Sequence, residues 1–129
     1  MRLGILGGSF DPIHHGHLLL ARAAREELGL DRVLFVPAHL SPHKTDSNPA
    51  SGTDRLAMLA LAVAGEAGFE ACDLELQRPP PSYTVDTLRE LTAQHPDAEI
   101  VLLIGADNVE KFHTWREAES IGRLARIAV

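Results

Sequence analysis

An α/β fold, with a parallel sheet covered by helices on both faces, is what the sequence predicts, and three observations predict it. Short apolar runs alternate along the chain with stretches patterned for amphipathic helix, the βαβ rhythm of a parallel sheet. The strongest runs, Leu3–Leu6, Arg32–Val36 and Glu99–Ile104, carry apolar residues at consecutive positions, as strands buried on both faces do. The most unusual loops, Gly7–His17, Ala38–Gly52 and Gly105–Thr114, each follow one of these runs. The unusual chemistry therefore gathers at the carboxyl ends of strands, where open α/β sheets bind ligands.

Each element has its own signal. Leu3–Leu6 runs into Gly7-Gly8 and reads as the first strand. Gly16–Leu28 suits a helix, with Leu20, Ala21, Ala24 and Leu28 on one face and Gly29 just past its end. Arg32–Val36 is β-branched and aromatic and is bounded by Pro37, a second strand. Ala38–Gly52 is polar and proline-containing, a long surface loop of the kind that often carries function. Thr53 is placed to cap a second helix with Leu56, Leu59, Ala60 and Val63 inward, ending near Gly65. Phe69–Leu76 reads as a third strand through the alternation of Cys72, Leu74 and Leu76, broken by Arg78-Pro79-Pro80-Pro81-Ser82. Thr84–Gln94 is a third helix stopped by His95-Pro96. Glu99–Ile104 is a buried strand entering Gly105, Glu117–Leu124 is helical, and Arg126–Val129 opens another strand. The expectation is a single domain over residues 1–129, incomplete at its C-terminus because the chain stops inside that strand.

Bulk properties narrow the function. The chain has 129 residues, 45% apolar and 23% charged, the balance of an ordinary globular domain. A net charge of −6 argues against nucleic-acid binding through a broad basic surface, yet leaves room for a locally positive pocket. No apolar run approaches the roughly 20 residues that span a bilayer, so no membrane partner is expected. The opening Met1–Ile5 lacks a signal-peptide pattern. The single cysteine, Cys72, cannot form an internal disulfide, and a reducing cytoplasm is the expected setting.

The chemistry centres on "GGSFDPIHHGHL", Gly7 to Leu18. Glycines let backbone N–H groups approach a ligand closely. The start of the following helix adds unpaired N–H donors and a partial positive charge, which together make an anion site. His14 and His17, three apart at a helix start, share a face, and each can donate to a phosphate oxygen. His15 points elsewhere. Neither G-x-G-x-x-G nor a Gly-Lys-Ser/Thr loop is present, which excludes the two commonest phosphate-binding loops.

This stretch resembles the signature of nucleotidyltransferases with an H-x-G-H motif. With Asp11-Pro12-Ile13, with "PHK" at Pro42–Lys44, "PSYTVDTL" at Pro81–Leu88 and "GADNVEKFHTW" at Gly105–Trp115, the resemblance is to bacterial nicotinate mononucleotide adenylyltransferases and covers essentially the whole chain. It implies a Rossmann-like sheet of nucleotidyltransferase type, lacking its last strands and helices. It also implies adenylyl transfer from ATP to nicotinate mononucleotide, yielding nicotinic acid adenine dinucleotide and pyrophosphate, with Mg2+ accompanying ATP. By that resemblance His14, His17 and Lys44 would act on the ATP phosphates, beside a phosphate path lined by the backbone of Gly8, Ser9 and Phe10. Gly105 and Asp107 would approach the adenosine ribose; Thr84 and Trp115 would hold the pyridine end. A Ser/Thr-rich segment ending in arginine, which the family carries later, has no counterpart here, so a catalytic part is expected to be absent. Three alternatives stay open: a sister transferase with another acceptor such as phosphopantetheine, a metal module built from His14, His15, His17, His39 and His43, and a nucleotide-binding fragment without turnover. Exposed sheet edges make a homo-oligomer conceivable.

Overall fold

The computed structural model describes residues 1–8, 10, 15–38, 52–78, 82–105 and 112–128. Its five strands are β1 (Arg2–Gly8), β2 (Arg32–Pro37), β3 (Phe69–Ala71), β4 (Glu99–Leu103) and β5 (Arg126–Ala128). They form one sheet in the order β3-β2-β1-β4-β5, and every pairing is parallel. The helices are α1 (His15–Leu28), α2 (Gly52–Val63), α3 (Thr84–Gln94) and α4 (Ala118–Leu124), with two turns of 3-10 helix at Leu74–Gln77 and Phe112–Thr114.

This strand order decides which face each helix covers. The chain steps outward from β1 to β2 to β3, then crosses back beyond β1 to β4 and β5. Parallel crossovers are right-handed, so reversing the direction of travel puts the later helices on the opposite face. The two cores follow. Leu18 and Ala21 of α1 and Leu59 and Val63 of α2 pack with Leu6, Val33, Phe35, Val101 and Leu103. Val85, Leu88 and Leu91 of α3 and Ile121 of α4 pack with Leu3, Ile5, Leu34, Ile100 and Leu102 on the other side. Adjacent residues of β2 and β4 thus enter opposite cores, which is why the sequence shows unbroken apolar runs there.

Helix ends also follow local chemistry. Gly29 closes α1 in the left-handed region, at φ +62°, and Leu30 N–H donates back to Arg25 O at 3.1 Å. That is a Schellman arrangement, with Leu30 buried behind it. His95 ends α3, its N–H on Leu91 O at 2.9 Å, with Pro96 following.

Three expectations are corrected. The third strand is Phe69–Ala71 rather than Phe69–Leu76. Cys72 N–H makes a last bond to Phe35 O at 2.8 Å, and the chain then winds into 3-10 helix, with Leu76 N–H on Asp73 O at 3.0 Å. The winding turns Leu74 toward the α3 core and lets the Glu75 carboxylate reach Thr87, contacts that an extended strand would forgo. On α2, Ala60 is exposed, and Arg55 takes an inward position instead. Its Nη1 donates to Ala38 O at 2.6 Å, satisfying a buried carbonyl just beyond β2. Thr53 lies inside the first turn of α2 and not ahead of it.

Candidate active site

β1 and β4 lie side by side, yet the chain leaves them for opposite faces of the sheet: α1 lies against one core and α4 against the other. Among the described residues, no crossover fills the space beyond their carboxyl ends. Such a divergence is the place where open α/β sheets hold ligands. A cavity of about 460 Å³ occupies it, a size that suits a small organic ligand. Gly7 and Gly8 from β1 and Ile104 and Gly105 after β4 form its floor. Ser82, Tyr83, Thr84 and Thr87, around the start of α3, form one wall; Thr114, Trp115 and Arg116 form another.

Four of the residues predicted to be functional thus meet in one cavity: Gly8, Thr84, Gly105 and Trp115. Thr84 is the first residue of α3, and Tyr83 before it offers no side-chain cap. The Tyr83 carbonyl instead takes the Asp86 and Thr87 N–H groups, at 3.2 and 3.3 Å. Trp115 is half-buried, its ring centroid 5.3 Å from that of Phe112. Beside it the Arg116 guanidinium sits 4.3 Å over the centre of the Tyr83 ring, a cation–π contact joining the two walls.

Phe10 and His17 stand on the α1 side of β1. The Phe10 side chain is 3% exposed and belongs to the core shared with α1 and α2. Its backbone has φ +47°, a conformation that costs a non-glycine residue about 1–2 kcal/mol. Packing holds it there. The ring lies 6.0 Å from Phe35, and a Cβ built on Gly8 would sit 3.6 Å from its edge. His17, in the first turn of α1, meets the Phe10 ring edge to face at 4.9 Å and 75°. Phe10 thereby steers both the strand-end backbone and the imidazole. His14, Ser9, Lys44 and Asp107 lie outside the described residues. Among the described residues no three of His, Cys, Asp or Glu come together as a metal cage. None of the described helices is long and apolar enough to cross a membrane.

The cavity has a polar wall that the sequence reading does not single out. Glu75, 8% exposed, accepts a hydrogen bond from Thr87 Oγ1 at 2.6 Å and another from the Ser82 hydroxyl. Arg78 Nη2 donates to Thr87 Oγ1 at 2.6 Å, and its Nη1 to Glu90 Oε2 at 3.3 Å. Burial raises the Glu75 carboxyl above the ordinary glutamate range, while the two hydroxyl bonds and the charge of Arg78 pull it back. The only sequence signal for this cluster is an acid between two leucines, Leu74-Glu75-Leu76, ahead of a proline run. Nothing in that pattern says which acid turns inward.

Comparison with known proteins agrees with this geometry. The cytidylyltransferase-like family matches residues 5–129. A protein of Desulfatibacillum aliphaticivorans named "Probable nicotinate-nucleotide adenylyltransferase" is 48% identical over 129 residues, and one of the same name from Thermomicrobium roseum is 48% identical over 128. These alignments cover 100% and 99% of this chain but 59% and 60% of the relatives, so the chain spans about three fifths of their length. A crystal structure from Vibrio parahaemolyticus, named for the same activity, superposes with a TM-score of 0.82 at 24% identity, covering 99% of this chain and 76% of that one. A Plasmodium falciparum nicotinic acid mononucleotide adenylyltransferase, complexed with NaAD, superposes at 0.78 with 21% identity, covering 93% of this chain and 59% of that one. At those identities the superpositions speak for the fold, and the family rests on the sequence match. Matched over residues 5–129 and folded on a parallel sheet that opens a cavity between β1 and β4, the chain belongs to the cytidylyltransferase-like family.

Proposed function

We propose that this chain carries the nucleotide site of a nicotinate-nucleotide adenylyltransferase. The observation that carries the reading is the cavity beyond β1 and β4, where Thr84 and Trp115 stand opposite Gly8 and Gly105. An aromatic side chain and the positive end of a helix suit a planar pyridine acid. Glycine backbone at a strand end suits a phosphate chain passing close by. Relatives about 48% identical bear that enzyme's name.

In the reaction, an oxygen of the mononucleotide 5′-phosphate attacks the α-phosphorus of ATP in line. A new P–O–P bond forms, the bond from the α-phosphorus to the β-phosphate oxygen breaks, and pyrophosphate leaves with that electron pair. The nucleophile is already an anion, so the protein's work is positioning and charge stabilisation. His17 is suited to donate to the phosphates from the start of α1, with His14 and Lys44 as partners. The backbone of Gly8, Ser9 and Phe10 lines the phosphate path. Gly105 and Asp107 hold the adenosine ribose, and Thr84 with Trp115 holds the pyridine. Magnesium enters with ATP as part of that substrate, bound by phosphate oxygens and water. A reducing cytoplasmic setting goes with this reading and with the lone Cys72.

The test is a pyrophosphate-release assay with ATP and nicotinate mononucleotide, run beside calorimetry with each nucleotide, for this chain and for a form extended to the length of its relatives. Binding of both nucleotides and turnover in the extended form are expected. His17→Ala should lower kcat about 10²–10³-fold, the usual loss when a donor to the transition state is removed. Binding without turnover in the extended form would mark a nucleotide-binding module instead. Preference for phosphopantetheine as acceptor would replace the pyridine reading.

A further inference from the structure

Glu75 poses a physical problem. A carboxylate at 8% exposure gives up most of its hydration, which is costly unless hydrogen bonds replace it. A leucine at this position would fill the space at the foot of the cavity wall without that cost. The hydroxyls that replace the lost water come from α3 and from the segment that enters it, with Arg78 supporting one of them. Thr87, in α3, donates to it at 2.6 Å. Ser82, in the segment entering α3, donates to it and is itself 7% exposed. Arg78, just past the 3-10 helix that bears Glu75, donates to the same Thr87 oxygen at 2.6 Å. The Thr87 hydroxyl is thus polarised from one side and donates on the other, a chain of bonds in which each strengthens the next.

One carboxylate therefore ties together the 3-10 helix, the entry to α3 and α3 itself. That entry matters. Ser82, Tyr83 and Thr84 are consecutive and all line the cavity, and the Tyr83 carbonyl takes the Asp86 and Thr87 N–H groups that open α3. Where that turn sits depends on what holds Ser82.

We propose that Glu75 is a positioning residue for the pyridine end of the site: bonded by Ser82 and Thr87, it sets where the first turn of α3 presents its backbone amides to the cavity. The inference rests on the pyridine-nucleotide reading above. It separates two roles that one buried residue can have. A merely structural Glu75 would affect folding and both nucleotides alike. A positioning Glu75 governs one end of the cavity.

Two measurements test it. The first needs no ligand: amide hydrogen exchange at residues 83–86 in the wild type, Ser82→Ala, Glu75→Gln and Glu75→Leu. Exchange at the start of α3 should be faster in Ser82→Ala and Glu75→Leu, and intermediate in Glu75→Gln, whose amide oxygen still accepts one bond. The second is titration of the fluorescence of Trp115, the chain's one tryptophan, with nicotinate mononucleotide, and calorimetric titration with ATP. Ser82→Ala should weaken the mononucleotide about tenfold, the worth of one hydrogen bond to a charged group, and leave ATP unchanged. Glu75→Leu should weaken it further, Glu75→Gln less, and the double variant Ser82→Ala/Glu75→Leu no more than Glu75→Leu alone, because both substitutions cut the same link. Unchanged exchange and affinity in Ser82→Ala overturn the inference. So does a parallel loss of ATP, mononucleotide and melting temperature across the series. Should the wild type bind no pyridine mononucleotide, the functional reading falls, and the exchange data alone decide whether Glu75 holds the start of α3.

Discussion

The two edges of the sheet are built differently. Where the strands begin, charges tie neighbour to neighbour. Arg2 Nε meets Glu99 Oε2 at 3.1 Å, Arg126 approaches the same carboxylate at 3.9 Å, and Arg32 pairs with Glu70. The Arg2 amide donates to Asp31 Oδ2 at 2.8 Å and its guanidinium to Leu28 O at 2.7 Å. Left-handed turns at this edge fall on glycines, Gly29 at φ +62° and Gly68 at φ +80°. Where the strands end, the cavity opens and a carboxylate is buried. Among the described residues, the two non-glycine residues with positive φ also lie toward this side: Phe10 at +47° just after β1, and Glu117 at +51° next to Arg116. Strain is relieved by residue choice at one edge and held in place by packing at the other. Sparsely populated backbone conformations gather where a ligand site needs them.

The sharpest way to break this contrast is at Phe10. Phe10→Ala should cost about 3–5 kcal/mol by loss of a buried aromatic, read from urea unfolding midpoints. Phe10→Gly should cost about 1 kcal/mol less than alanine, because glycine accepts φ +47° freely, the reverse of the usual ranking. Alanine faring better than glycine would mean that the strain is not there. Next in size is Gly29→Ala at the opposite edge, where a Cβ meets nothing closer than Arg2 Nη1 at 3.7 Å, so the expected loss of about 1 kcal/mol is backbone strain alone. A neutral result would put the cost of left-handedness in doubt at both edges.

Smaller again is the pH response of Glu75. Burial holds its folded-state pKa above the unfolded one, so ionisation opposes folding. The stabilising contribution of the protonated form is fully present below the ordinary carboxylate range and is lost as pH rises through the higher folded value. Glu75→Gln does not titrate. The wild type should therefore lose stability relative to it across that window, and a gap between their unfolding midpoints that stays constant with pH would contradict the buried-carboxyl picture. The smallest effect belongs to the strand-start charges. Glu99 and both its arginine partners are about half exposed, so Glu99→Gln should change stability by no more than about 0.5 kcal/mol, less still in high salt. A loss of several kcal/mol would show that this edge carries far more than alignment.

The same contrast explains what is legible from residues alone. β1, β2 and β4 are legible because each is an apolar run buried on both faces, and α1 and α3 because Gly29 and His95-Pro96 end them chemically. β3 is not, since only three of its residues pair and the acid–leucine alternation continues unchanged into the 3-10 helix. The exchange of Ala60 for Arg55 on α2 is likewise hidden: a helical pattern cannot know that a guanidinium will find the Ala38 carbonyl. In the site, Gly8 is singled out by the glycine pair that closes β1, whereas Thr84, Gly105 and Trp115 are singled out by the motifs that carry the family resemblance. Glu75, Ser82, Thr87 and Arg116 are not, because their roles come from chain segments that meet only in three dimensions. His14, Ser9, Lys44 and Asp107 lie outside the described residues, and their roles rest on the sequence.

The strand order has a consequence for how such a molecule comes into being. Among the described strands, the earliest in the chain is the middle of the sheet. Its partner β2 follows within a few dozen residues, but its other neighbour is far away, Arg2 pairing with Glu99 across 97 positions. Closing so long a segment is slow relative to closing a short one. The growing polypeptide thus holds β1 with an unpaired flank until β4 has been made, and the crevice beside β1 exists only after that long-range clasp.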